Sequence, residues 1–374
     1  MPGDIPTSSS AQQKKKRPMG LKARAAKKQK SEQPSEDGAQ VVNDFGDENT
    51  ATIMLKNDGQ EANEIDELEG IFDGALEALD TEEPERALTL LRGTIHECDR
   101  ILRVRDQDPN PEELEPRFYF IYGMALFSIA EVSEDDKVAY LELALKRLVQ
   151  AEDKLADWKT LEGLAKVSLE LLVEKSNESA QEAVERLNKA LAVLPGDPAD
   201  PAVVSETLSI VNLVLSLVDS RRLTETAASE LVAWAQKTLD NMPKAVQESP
   251  EVKTTMASAL WISAGALLDQ QDEETGEVPE KESLVEILQK SAALLQDVDG
   301  GKAVLLRGEV FLNLGNLLDD EESQEKIYAQ AVECFNKAKE LSELPEQFAQ
   351  FLEDFENDGQ DDGEDSEDDE QEEE

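Results

Sequence analysis

Residues 308–344 constrain the fold more than any other stretch of the sequence. Large apolar residues and a glycine recur on one face of a first predicted helix, and two alanines flank an aromatic residue on a second. Small residues let two helices approach closely, and the aromatic ring fills the space between them. These positions are Phe311, Leu314 and Gly315, followed by Ala331, Phe335 and Ala338. The spacing predicts a helical hairpin, with a long turn at residues 319–326.

Parts of the same pattern recur along the chain, at intervals of roughly forty residues. First-helix positions are matched by Tyr119 and Gly123 and again by Trp261 and Gly265, and second-helix positions by Ala183, Leu187 and Ala190. One hairpin cannot bury its own apolar face, so five or six of them are expected to stack. The predicted fold class is all-α, an α-solenoid of tetratricopeptide-like helical hairpins with disordered N- and C-terminal tails.

Composition shifts divide the chain into three predicted regions. Residues 1–62 are polar and charged, with too little apolar surface to offset the entropy of ordering, and contain a basic import-like segment. Residues 63–355 carry the helical periodicity, and a hinge is predicted near 195–201 because that stretch contains three prolines. Residues 356–374 form an acidic tail. Residues 52–55 resemble a strand but are too few to found a sheet.

The charge of the chain indicates its class of partner. The formal net charge is -47, although residues 1–30 carry nine Lys or Arg residues against Asp4 alone. An acidic body repels phosphates, so direct nucleic-acid binding by the folded part is not expected. Basic proteins, such as ribosomal proteins and histones, are the natural electrostatic partners. A soluble surface with no dedicated basic partner is the alternative.

Two basic clusters near the N-terminus have the arrangement of a bipartite nuclear import signal. Nine residues separate the clusters, and the segment is short, isolated and attached to an acidic body that gains little from it electrostatically. This pattern predicts a nuclear import receptor as partner and the nucleus as location. A nucleic-acid-contacting or solubilising arm is the alternative. The cluster residues are Lys14, Lys15, Lys16 and Arg17, then Lys27, Lys28 and Lys30.

Catalytic chemistry is not predicted. His96 is the one histidine, so a multi-histidine metal site is excluded, and its position on a polar helix flank indicates a surface role. Cys98 and Cys334 lie on apolar faces and are interpreted as core residues in a reducing compartment. Glycine-rich phosphate loops and dinucleotide fingerprints are absent from the sequence. We therefore expect no catalytic, cofactor or metal residues, and therefore no enzyme.

Membrane association is not predicted either. We expect no membrane span, because no apolar run approaches the roughly twenty residues that a span needs, and the N-terminus lacks the apolar segment of a signal peptide. The expected protein is therefore soluble and intracellular.

Two stretches resemble a known family. KRPMGLKARAAKKQK (16–30) and TIHECDRILRVRD (94–106) are similar to blocks of the fungal enhancer-of-translation-termination family, and Ile121, Tyr122, Ala125 and Leu126 supply a third element. The chain departs from the family pattern at Met19, where leucine is expected, and at Thr94. The resemblance implies a nuclear, non-enzymatic protein needed for accurate stop-codon recognition, with a link to hypoxic gene expression and hence to transcription.

Two functional hypotheses follow. The first is a nuclear adaptor, able to shuttle to the cytoplasm, whose acidic surface binds a basic factor of the translation, termination or ribosomal machinery. The alternative is a tetratricopeptide-type histone chaperone, or another acidic scaffold for basic proteins. A long acidic run inside a repeat would favour the chaperone, and the run at residues 269–280 is modest.

Overall fold

The described part of the chain is an array of α-helices, which confirms the predicted all-α, solenoid-like fold class. The computed structural model describes residues 63–133, 136–269 and 280–361, and the backbone at 41–42 and 52–53. Two short strands, β1 (Val41–Val42) and β2 (Thr52–Ile53), pair antiparallel with Val41 opposite Ile53. The described helices are α1 (Glu64–Asp80), α2 (Pro84–Gln107), α3 (Pro116–Val132), α4 (Lys137–Glu152), α5 (Trp158–Glu174), α6 (Gln181–Val193), α7 (Pro201–Asp219), α8 (Glu225–Asp240), α9 (Lys244–Gln247), α10 (Pro250–Leu268), α11 (Lys281–Leu294), α12 (Gly301–Leu317), α13 (Glu321–Leu341) and α14 (Glu346–Asp361).

Local sequence signals set where most helices begin. A side-chain oxygen at the N-cap accepts from a backbone N–H that has no partner within the helix. Asp157 accepts from Thr160 N at 2.8 Å, and Thr224 accepts from Ala227 N at 3.3 Å. Proline, whose missing N–H costs nothing in the first turn, begins α2, α3, α7 and α10.

The helices pair into six hairpins among the described residues: α1 with α2, α3 with α4, α5 with α6, α7 with α8, α10 with α11, and α12 with α13. Successive hairpins also contact each other, for example α2 with α3 and α8 with α10. The last helix, α14, packs Phe348 against Phe335 of α13, with stacked rings 4.6 Å apart between centroids. Buried apolar side chains therefore extend from hairpin to hairpin, as stacking predicts.

Glycines set the spacing within two of the hairpins. A Cβ added to Gly123 on α3 would lie 2.6 Å from Leu148 Cγ on α4. On α12, a Cβ at Gly308 would lie 2.6 Å from Phe335 Cε1, and one at Gly315 would lie 2.5 Å from Tyr328 Cε1. Real side chains do not approach so closely, so these helix pairs depend on the missing methyl groups.

The predicted long turn at residues 319–326 is wrong. Helix α12 ends at Leu317 and α13 begins at Glu321, so residues 321–326 are helical. Asp320 caps α13, because its Oδ2 accepts from Ser323 N at 2.9 Å and from Ser323 Oγ at 2.6 Å. Acidic residues in the first turn, Glu321 and Glu322, further favour a helix start here because they complement the helix dipole.

Helix α7 also differs from the expectation that apolar runs are too short for a membrane span. By length and composition alone, it is the one described helix that could cross a membrane, and a third of its apolar window is buried. A helix in the core of a globular protein can have the same length and apolar composition. In this fold Val211 and Val214 of α7 are fully buried in the same core cluster as Leu231 of α8.

Candidate functional site

The predicted import segment lies outside the described residues. Its members are Lys14, Lys15, Lys16, Arg17, Lys27, Lys28 and Lys30, and their role stays a prediction. Most of the predicted acidic tail, residues 362–374, is outside the described residues as well.

Two of the sequence blocks that carry the family resemblance meet in the fold. Asp99 belongs to the block on α2 and Tyr122 to the block on α3, and the Tyr122 hydroxyl donates to Asp99 Oδ1 at 2.5 Å. The Arg147 guanidinium of α4 lies 4.7 Å from the centre of the Tyr122 ring, within the range of a cation–π contact. Burial, and then the hydrogen bond to Asp99, raise the pKa of Tyr122 to about 12. This cluster joins α2, α3 and α4.

Ion pairs fix the first helix to the same region. Arg100 of α2 contacts Glu64 of α1 at 2.9 Å, and Arg117 of α3 contacts both Asp66 and Glu69 of α1, the latter at 2.8 Å. Because these side chains are partly exposed, each ion pair contributes up to about 1 kcal/mol to the free energy of unfolding. Their main effect is to set the position of α1 against α2 and α3.

The residues considered for chemistry occupy positions that suit packing or solvent. His96 is exposed, while Cys98 and Cys334 are buried free thiols. Burial raises the pKa of both thiols, which disfavours the reactive thiolate. Across residues 63–133, 136–269 and 280–353, no group of three or more His, Cys, Asp or Glu side chains could hold a metal ion.

The predicted repeat-packing residues fall into two groups, and their packing role stays a prediction. One group is buried between helices: Gly123, Ala183, Leu187, Ala190, Leu314, Gly315, Ala331, Phe335 and Ala338. The other is half-buried: Tyr119, Trp261, Gly265 and Phe311. A Cβ at Gly265 would meet nothing within 4 Å, so that glycine does not set a helix spacing.

Helix α10 is flanked by grooves that the sequence did not reveal. One of 980 Å³ lies between α7, α10 and the start of α12, and one of 540 Å³ between α8, α10 and α11. A third, of 730 Å³, lies between the end of α7, α8 and α10, and we call it the α8–α10 groove. Helix α10 contacts α7, α8, α11 and α12, and the grooves lie between these contacts.

The α8–α10 groove has an apolar floor and a charged end. Trp261 and Ile262 of α10 face Ala228 and Val232 of α8, with Leu223 from the preceding turn. At one end Arg221 forms an ion pair with Asp269 at 2.9 Å. Half-buried tryptophan beside an open glycine is typical of binding surfaces rather than of close helix packing. We therefore regard this groove as the candidate interaction site.

Two carboxylates near the groove lack a cation. Asp219, which lines the groove at the end of α7, forms no ion pair among the described residues. Glu309 of α12 has its pKa raised to about 7, first by burial and then by repulsion from Asp219. A positive charge placed here would relieve this repulsion.

Comparison with known sequences finds a family similar to the N-terminal part of the chain. Residues 14–193, which include the basic segment and helices α1 to α6, match the model of a family described as nuclear pore complex subunit Nro1. These 180 residues, about half of the chain, are similar to the Nro1 family. The Asp99–Tyr122 contact lies inside this region, whereas the α8–α10 groove lies beyond it.

Curated relatives confirm the predicted resemblance. Enhancer of translation termination 1 of Clavispora lusitaniae is 35% identical over 128 residues, which are 32% of this chain and 28% of the relative. Negative regulator of ofd1 of Schizosaccharomyces pombe is 27% identical over 158 residues, which are 35% of this chain and 38% of the relative. The similarity thus spans about a third of each of these proteins.

A solved structure is similar in outline. The S. pombe nuclear import adaptor Nro1 aligns with a TM-score of 0.47 and 18% identity, covering 81% of this chain and 98% of that one. The fold class is assigned from the helices of this chain and not from that alignment.

Proposed function

We propose that this chain is a non-enzymatic nuclear adaptor required for correct translation termination. The observation that carries the proposal is the match of residues 14–193 to the Nro1 family, whose description places a member at the nuclear pore. Curated relatives of that region are named enhancers of translation termination. The described helices supply a scaffold, and the basic segment supplies the import signal.

The proposed partners are an import receptor and a basic protein of the translation or ribosomal machinery. The receptor would bind the two basic clusters between Lys14 and Lys30. The basic protein would bind the acidic helical array, because a net charge of -47 attracts positively charged surfaces over several ångströms. Shuttling to the cytoplasm would bring the adaptor to the ribosome, and an effect on hypoxic gene expression would be secondary.

A stop-codon readthrough reporter tests the termination role. We expect a strain lacking the gene to show raised readthrough, and the intact gene to restore normal termination. Tyr122→Phe removes the hydroxyl that joins the two family blocks and keeps the ring under Arg147, so it should restore termination only in part. Arg86→Gln, an exposed change on α2, is the matched control. Normal termination in the deletion strain would contradict the proposal.

A pull-down at moderate salt separates the adaptor from the histone-chaperone alternative. The full chain is immobilised and offered equal amounts of core histones and ribosomal proteins. Selective retention of ribosomal proteins supports the adaptor. Selective retention of histones would overturn it in favour of the chaperone.

A further inference from the structure

We propose that the α8–α10 groove binds the chain's own basic segment, residues 14–30, and thereby shields the import signal. The groove combines an apolar floor with a predominantly acidic lining, and the segment combines apolar residues with cations. The inference goes beyond the proposed function because it assigns an intramolecular site and a form of regulation.

The charge of its lining distinguishes this groove from the other two beside α10. The 540 Å³ groove is lined by two acidic and two basic residues, Asp240, Glu248, Lys253 and Lys290. The 980 Å³ groove is lined by two acidic residues and one basic residue, Glu251, Asp299 and Lys302. The α8–α10 groove is lined by three acidic residues, Asp219, Glu225 and Asp269, against Arg221, which is already paired with Asp269. Of the three grooves, this one therefore has the largest excess of negative charge next to apolar surface.

Glu309 of α12 does not line the groove, but repulsion from Asp219 contributes to its raised pKa, and it forms no ion pair in the described part of the chain. A cation bound beside Asp219 would reduce this repulsion. An acidic lining beside apolar surface favours a ligand that brings one or two positive charges together with an apolar group.

The basic segment has this composition. Met19 and Leu21 are followed by Lys22 and Arg24, with Lys27 and Lys28 three and four residues after Arg24. An apolar side chain against Trp261 and Ile262 would place the following cations near Asp219. Residues 1–30 carry nine Lys or Arg residues against one acidic residue, so no other part of the chain offers such a match.

The chain between the basic segment and the first described helix is long enough for the segment to reach the groove. Residues 31–62 separate the basic segment from the start of the described helices. At about 3.4 Å per residue, 32 residues can reach about 100 Å when fully extended. A tethered ligand is present at an effective concentration of up to about millimolar, so even a weak contact is populated.

Occupation of the groove has a consequence for import. A receptor reads basic side chains in an extended segment, and those side chains are not accessible while they contact the groove. A basic partner protein that competes for the groove would release the segment. Loading of the partner and exposure of the import signal would then be coupled through one site.

Cross-linking of the purified full chain tests the contact directly. A carbodiimide joins a lysine amine to a carboxylate only when the two are in contact, with loss of water. We expect links from Lys22 or Lys27 to Asp219, and their loss at high salt. Mixing isotopically light and heavy chains shows whether links are intramolecular. Links mainly between light and heavy chains would overturn the proposal in favour of a second copy as occupant.

Tryptic cleavage of the full chain after Arg24 provides a second readout. Asp219→Lys reverses the charge at a helix C-terminus, where lysine is well tolerated. Leu21→Ser removes the apolar anchor. We expect each to accelerate cleavage roughly five-fold, because the segment is released more often.

Asp240→Lys is the matched control, since it makes the same charge change at the exposed end of α8 in the neighbouring groove. It should leave the cleavage rate unchanged. Equal rates in all four proteins would overturn the proposal. So would equal acceleration by Asp219→Lys and Asp240→Lys, because that result indicates attraction to the acidic body in general. Neither assay involves import or termination, so their outcome is separable from that of the proposed function.

Discussion

At Gly123 the distance between α3 and α4 depends on the absence of a single methyl group. Gly123→Ala would place a Cβ 2.6 Å from Leu148 Cγ and 3.2 Å from the carbonyl oxygen of Ala144. Neither atom is the free end of a flexible side chain, so the helices must separate. We expect a loss of about 1–3 kcal/mol in the free energy of unfolding, measured by urea denaturation.

Gly93 in α2 provides the control for that substitution. A Cβ at Gly93 would meet nothing within 4 Å. Gly93→Ala should therefore stabilise the protein by about 0.5–1 kcal/mol, since alanine loses less backbone entropy in a helix than glycine does. Destabilisation by both substitutions to the same extent would contradict the close-approach argument.

Glu309 makes stability depend on pH in a defined direction. Burial, and then repulsion from Asp219, raise its pKa to about 7 in the folded protein, whereas an unfolded glutamate titrates near about 4.3. The folded state therefore binds the proton more tightly, and stability falls as pH rises from about 4.3 to 7. Glu309→Gln should be more stable than wild type at pH 8 by about 1–3 kcal/mol.

The difference at Glu309 should disappear as the pH approaches about 4.3. Chemical denaturation at several pH values measures it. Glu325→Gln, at an exposed position of α13, should show no such dependence. Parallel stability curves for wild type and Glu309→Gln would exclude the raised pKa.

At the scale of elements, α6 is capped by a residue of the next hairpin. The carboxylate of Glu230 on α8 accepts from the backbone N–H of Ala180 at 2.6 Å and from Ser179 Oγ at 3.0 Å. Ala180, the N-cap residue of α6, has no side-chain oxygen of its own to cap the helix. A negative charge at this position complements both the unpaired N–H groups and the helix dipole.

Glu230→Gln should weaken the contact between these two hairpins. The amide keeps an acceptor but loses the charge, so we expect a loss of about 1–2 kcal/mol in unfolding free energy. Hydrogen exchange at the first amides of α6 should accelerate as well. Glu206→Gln, an exposed change on α7, is the control. Unchanged exchange at Ala180 would contradict a capping role for Glu230.

The contacts across residues 195–201 bear on the predicted hinge, which stays a proposal. Besides Glu230, Trp234 Nε1 of α8 donates to Asn188 Oδ1 of α6 at 3.0 Å, and Arg222 contacts Glu174 at 2.8 Å. A hinge motion would have to break these contacts together.

The helix pairs were predictable because apolar periodicity and local start signals act within a few residues of each other. The start of α13 differs from the predicted long turn because the Asp320 cap and the acidic first turn begin the helix at Glu321, and the repeat positions alone do not fix where a helix begins. The α8–α10 groove could not be predicted, since it depends on how two hairpins pack. Likewise Asp219 and Glu309 are far apart in sequence, and no spacing rule relates them.

For the whole molecule, repulsion among like charges should exceed the attraction in its ion pairs. The chain carries 84 acidic residues against 37 basic ones. Each surface ion pair contributes up to about 1 kcal/mol to the free energy of unfolding, and salt weakens it by screening. Salt also screens the repulsion among the excess negative charges, and this repulsion is the larger effect. Raising the salt concentration from about 20 to 300 mM should therefore raise the melting temperature by about 5 °C.

Calorimetry or circular dichroism measures the salt effect. Potassium chloride and sodium chloride should act alike if screening is the cause. A fall in melting temperature with salt would show that the ion pairs, such as Lys137 with Glu174 at 2.9 Å, outweigh the repulsion.

The capping of α6 by Glu230 also bears on the order of folding during synthesis. The ribosome releases α6 well before α8, and until Glu230 emerges the backbone N–H of Ala180 lacks its carboxylate partner, although Gln181 N already donates to Ser179 Oγ at 3.2 Å. The fifth and sixth helices can thus form early but reach full stability only after the fourth hairpin has been made. A nascent chain arrested near residue 200 should accordingly remain sensitive to protease at the start of α6, and one arrested beyond α8 should not.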